Sequence, residues 1–101
     1  MPRIHSEASR ILGERVRASR LRIGISQEDL GELADMHFSN IGKIERGQSN
    51  PNLATIVALA GPLGVDPGEW LAGLTSAMLS GRTHQVTAAD LIAERSRRAA
   101  R

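Results

Sequence analysis

The chain has 101 residues, no cysteine, and 13 basic against 11 acidic side chains, a formal net charge of +2. This length predicts a single domain with a small, marginally stable core, and the lack of cysteine excludes disulfides and thiolate metal sites and suits a reducing compartment. No apolar run approaches the ~18 residues that span a membrane, and the opening MPRIHSEASR has no apolar centre of a signal peptide, so a cytoplasmic protein is expected.

Residues 1–6 read as a loose arm. A helix is expected over 7–23, with Leu12, Val16 and Ile23 on one face and Gly24-Ile25 ending it. A second apolar stripe on it, Ile11, Ala18, Leu21 and Ile25, is left for the C-terminal segment, a partner subunit or plain exposure. Ser26 with Asp29 three residues on is a near capping box, so a helix should start at Gln27 and run to 34, carrying Leu30, Leu33 and Ala34. The pattern breaks at Asp35-Met36-His37. A helix over 38–45 follows, with Ile41 and Ile44 three apart and Gly47 as its left-handed C-cap residue. Two short helices with so tight a break form a helix-turn-helix, whose second helix can enter a DNA major groove.

Gln48-Ser49-Asn50-Pro51 is a loop of turn formers. Asn52 can cap a fourth helix with Leu53, Ile56, Val57, Leu59 and Ala60 toward the core. Pro62 lacks an N–H and clashes with the preceding turn, so this helix should kink or end near Ala60, with a functional hinge as the minority reading. Asp66-Pro67-Gly68-Glu69 starts a fifth helix carrying Trp70, Leu71 and Leu74. Residues 75–85 read as a linker, and Thr87 with Asp90 opens a final helix over about 88–99. Its arginines at 95, 97, 98 and 101 suit a solvated basic end, a phosphate-tracking tail or a helix swapped onto a partner.

The fold class is therefore all-α: a five-helix head over 7–74 and a basic C-terminal extension over 75–101. Residues 1–74 hold eight basic and nine acidic side chains, whereas 75–101 hold five arginines against Asp90 and Glu94. Bulk charge thus says little about nucleic acid, and the case rests on the motif.

Ser26-Gln27-Glu28, Leu30, Ala34, Ile41 and Ile44-Glu45-Arg46-Gly47, in that order, resemble the phage-repressor and Cro-type helix-turn-helix family, often called XRE. Leu12, Val16, Arg20, Gly24 and Ile25 fit its first helix, and Pro51, Leu53, Ile56, Leu59, Leu63-Gly64-Val65 and Trp70-Leu71 its fourth and fifth. The resemblance covers residues 10–74 and implies a repressor-like head, sequence-specific binding of double-stranded DNA, and a homodimer on a palindromic operator.

Carried over by position, His37, Phe38, Ser39 and Lys43 would face the bases, with Asn40 beside them facing base or phosphate. Lys43 can donate to guanine and Asn40 could pair with adenine. Phe38 would touch a thymine methyl, or else fold back on the head or a partner. Gln27, through its side chain and its N–H at a helix start, would hold a phosphate, as would Arg46, joined by Gln48 and Asn50. Arg20 and Glu45 occupy positions that pair in the resembling proteins, either partly buried or as an exposed pair of little worth.

Enzyme chemistry finds no support. His5, His37 and His84 lie in separate segments without metal-ligand spacing, and no phosphate loop or nucleophile motif occurs. No cofactor is expected. Transcriptional repression is the leading expectation; an antitoxin, or a helix-turn-helix serving only protein assembly, are the alternatives, and the C-terminal extension is the place for a protein partner.

Overall fold

The computed structural model of the chain describes residues 3–81 and 86–100. Among them the regular elements are all helical: α1 Glu7–Ile23, α2 Gln27–Ala34, α3 Phe38–Glu45, α4 Leu53–Leu63, α5 Pro67–Leu71 and α6 Ala88–Ala99, with one 3₁₀ turn at Ser76–Met78. The helix starts follow local capping chemistry. Ser6, Ser26, His37, Asn52, Asp66 and Thr87 each accept a backbone N–H from the first turn they precede, and Ser26–Asp29 and Thr87–Asp90 close both bonds of a capping box.

The core joins Leu12 and Val16 of α1, Leu30 of α2, Ile41 and Ile44 of α3, Ile56, Leu59, Ala60 and Leu63 of α4, and Trp70 of α5. Trp70 buries its ring and donates its indole N–H to the Ser19 hydroxyl at 3.0 Å. Arg15 donates to the carbonyls of Trp70 and Ala72 at 3.0 and 2.6 Å, satisfying the open end of α5. Gly13 is where α1 meets the end of α3. A Cβ there would lie 2.2 Å from the Ile44 carbonyl oxygen, so only glycine permits the crossing.

Several expectations change. α4 does not end at Ala60 but continues through Pro62 to Leu63. Leu59, Ala60 and Leu63 are all buried, and the Gly64 and Val65 N–H groups close the helix on the Gly61 and Ala60 carbonyls. Burial of the last turn outweighs the one backbone bond that Pro62 cannot make. Leu53 and Val57 do not face the core; they are 70% and 51% exposed. Leu33 and Ile23 are also exposed, whereas Ile25, assigned to the second stripe of α1, packs against the core. The arm is tied down at its end: the His5 N–H donates to the Gly47 carbonyl at 2.7 Å, and the Ser80 hydroxyl donates to the His5 carbonyl at 2.7 Å. Residues 1–2, the linker residues 82–85 and Arg101 lie outside the described residues.

Candidate nucleic-acid interface

α2 and α3 pack on one another across a three-residue turn, Asp35–His37. Asp35 takes the left-handed conformation at φ 55°, and the Met36 N–H donates back to the Gly31 carbonyl at 2.9 Å. Aspartate tolerates this region because its short polar side chain is little hindered there. The turn leaves His37 extended and aims the first turn of α3 outward.

That edge is exposed at His37, Phe38, Ser39, Asn40 and Lys43. The His37 Nδ1 accepts the Ser39 N–H at 3.1 Å and lies 2.6 Å from the Ser39 hydroxyl. An accepting Nδ1 places the proton of the neutral ring on Nε2, which is then a donor. The ring also stacks on Phe38, with centroids 4.5 Å apart and planes 28° apart. Phe38 remains 45% exposed, so its ring is held from one side and open on the other. Lys43 stands one turn beyond Ser39 on the same face.

The other side of α3 is fixed by charge. Arg20 and Glu45 form a two-bond ion pair, Nε–Oε2 2.7 Å and Nη2–Oε1 2.9 Å, with side chains only 8% and 1% exposed. Arg20 also donates to the Ile25 carbonyl at 2.9 Å. The Glu45 hydrogen bonds raise the Arg20 pKa further above its ordinary value, against the opposing effect of burial. The guanidinium is therefore a permanent charge joining α1, the loop before α2 and the end of α3.

Gln27 turns its side-chain amide onto this pair, donating to Glu45 Oε1 at 3.0 Å, and its backbone N–H lies in the first turn of α2. Arg46 is exposed and its Nε donates to Gln48 Oε1 at 3.2 Å. Gln27 and Arg46 converge over Gly42: a Cβ there would lie 2.9 Å from the Arg46 guanidinium and 3.5 Å from the Gln27 amide oxygen. Gly47, at φ 74°, ends the helix and turns the chain toward Gln48 and the exposed Asn50. The structure thus places His37, Phe38, Ser39, Asn40 and Lys43 along one edge and Gln27, Arg46 and Gln48 on its flank. Sequence reasoning passed over Gly13 and Gly42, although glycine inside a helix signals a close approach. It also passed over Arg15, whose carbonyl partners lie more than fifty residues away and leave no local signal.

A helix-turn-helix family model (HTH_3) matches residues 16–70. An uncharacterized HTH-type transcriptional regulator of Haemophilus influenzae is 46% identical over 46 residues, which cover 46% of this chain and 47% of that protein. The chain thus spans about half of that relative's length. Among solved structures, the restriction-modification controller protein C.AhdI of Aeromonas hydrophila is 39% identical with a TM-score of 0.60, covering 61% of this chain and 94% of that one. The P22 c2 repressor, solved in complex with a synthetic operator, is 33% identical with a TM-score of 0.58, covering 62% of this chain and 96% of that one. With the family model spanning more than half of the sequence and the α2–α3 geometry it describes in place, the chain belongs to the helix-turn-helix family.

Proposed function

We propose that the protein is a sequence-specific DNA-binding transcriptional regulator that represses by occupying a promoter, and that it binds a palindromic operator as a homodimer. The exposed edge of α3, clamped from behind by the buried Arg20–Glu45 pair, is the observation that carries this reading. In it His37, Phe38, Ser39 and Lys43 face base edges, and Asn40 faces base or phosphate. The Gln27 N–H, Arg46, Gln48 and Asn50 hold phosphates on either side and set register. The P22 c2 repressor, with its operator, supports the docking mode. The head over 7–74 is the DNA-binding unit, and 75–101 an extension of it. The protein acts in the cytoplasm without a cofactor and has no enzymatic step; the similarity to regulators supports the last point.

The test is selection of bound fragments from genomic DNA, followed by footprinting. Protection of two related half-sites about 34–36 Å apart is expected. Protection without two-fold symmetry, or binding that shows no preferred sequence, would refute the reading.

A further inference from the structure

α4, with the sequence LATIVALAGPL, carries no charged residue. Its outward side is nevertheless open, with Leu53 and Val57 one turn apart at 70% and 51% exposed, and Gly61 and Pro62 continuing the apolar surface. A surface helix ordinarily turns polar residues to that side. The surroundings are acidic. No lysine or arginine occurs between Ser49 and Gly81. Glu28, Asp29 and Glu32 are exposed on α2, which packs beside α4, and Asp66 and Glu69 open α5.

α6 is the chemical complement. Ala88, Leu91, Ile92 and Arg95 share one face by their spacing, and Arg97 and Arg98 follow. Leu91 and Ile92 are 46% and 63% exposed, and no residue of α6 is buried. A 12-residue helix alone is marginal in water, so covering its apolar face would stabilise this one.

We propose that α6 of one copy docks on the outer face of α4 in a second copy, its leucine–isoleucine face on Leu53 and Val57 and its arginines toward the acids of α2 and α5. The exchange is reciprocal, as two-fold symmetry requires. The chain leaves the head in the right place. Ser80 lines the same cleft as Asn50 and Pro51, just before α4 begins. The residues between Gly81 and Thr87 can extend about 20 Å at roughly 3.3–3.6 Å each, enough to carry α6 onto a neighbouring head. Two such dockings raise the buried area toward the ~1,200–2,000 Å² of a stable interface, which one short helix does not reach. In the single chain α6 leaves its apolar face uncovered, which favours a second copy as the occupant.

The natural lack of cysteine makes the test direct. Full-length Val57→Cys and full-length Ile92→Cys chains are mixed and mildly oxidised, and the products are identified by mass spectrometry. A mixed disulfide between the two variants is expected to dominate. Predominant Val57→Cys homodimers would place α4 against α4 and overturn the proposal. So would ring closure within one chain of the doubly substituted protein at high dilution, or no cross-link at all. Sedimentation of the full chain supplies a second reading. Val57→Asp and Ile92→Asp should each weaken dimerisation by about tenfold or more with helix content retained. A dimer indifferent to both would also overturn the proposal. No DNA enters either measurement, so the outcome is separate from that of the proposed function.

Discussion

Arg20 and Glu45 are each nearly buried, and each is tolerated only because of the other. Glu45→Gln leaves a guanidinium that cannot shed its charge, so unfolding free energy should fall by about 3–5 kcal/mol. Arg20→Met with Glu45→Leu removes both charges and should recover most of that loss. Chemical denaturation of the natural chain and these two variants checks the pattern, and a double variant no more stable than Glu45→Gln would contradict it. Phe38 belongs to a different class, since a ring 45% exposed contributes little to the core. Phe38→Ala should leave the melting temperature nearly unchanged. Under the proposed function it should weaken operator binding by roughly 1–3 kcal/mol. Replacing the contacted thymine by uracil should cost a similar amount, and both changes together little more than one. Binding titrations over this double cycle decide it. His37 caps α3 and stacks on Phe38 at once, so His37→Asn, which keeps the cap, separates ring placement from helix stability.

At the scale of elements, α4 illustrates how tertiary burial overrides local chemistry. Pro62 interrupts the backbone ladder, yet the helix runs on because Leu59, Ala60 and Leu63 seat the last turn in the core. Pro62→Ala should therefore restore a bond without changing the fold and raise stability by about 1–3 kcal/mol. Thermal melts show this as a higher midpoint. A lower midpoint would mean that the proline holds the end of α4. Gly13→Ala should act in the opposite direction. Its Cβ would fall on backbone, 2.2 Å from the Ile44 carbonyl, where nothing flexible can move aside. A loss of at least about 1–3 kcal/mol, the usual cost of overpacking, is expected, together with weaker DNA binding as α3 is pushed from α1.

For the whole molecule, the charge is arranged rather than abundant. Residues 1–74 carry eight basic and nine acidic groups, yet Lys43 and Arg46 stand at the edge and flank of α3, whereas α2, α4 and α5 hold no base at all. Under the proposed function, specific DNA binding by such a head depends on placement and on a second copy, because one head covers too little DNA for high affinity. Arg46→Ala should weaken binding to all sequences about equally and reduce the salt slope by about one unit. Binding isotherms over a range of salt test this. A changed base preference with an unchanged slope would move Arg46 from phosphate to base.

Helix positions were legible in the sequence to a degree set by capping. Ser26, Asn52, Asp66 and Thr87 act on residues two or three positions away, so α2, α4, α5 and α6 start at 27, 53, 67 and 88 as expected, while the apolar periodicity set α1 over 7–23 and α3 over 38–45. Local bonds need only local residues. The edge of α3 was legible through the resemblance, which carries His37, Phe38, Ser39, Asn40 and Lys43 over by position, and all five side chains are exposed. The apolar residues that reach the core were not all legible. Leu53, Val57, Leu33 and Ile23 have the same chemistry as Leu59 and Leu30. Which of them meets another helix depends on packing angles between elements far apart in the chain. The same holds for the burial of Arg20 and Glu45, for the Gln27 amide turned onto that pair, and for the last turn of α4. Each is settled by contacts spanning many residues, and no local pattern carries that information.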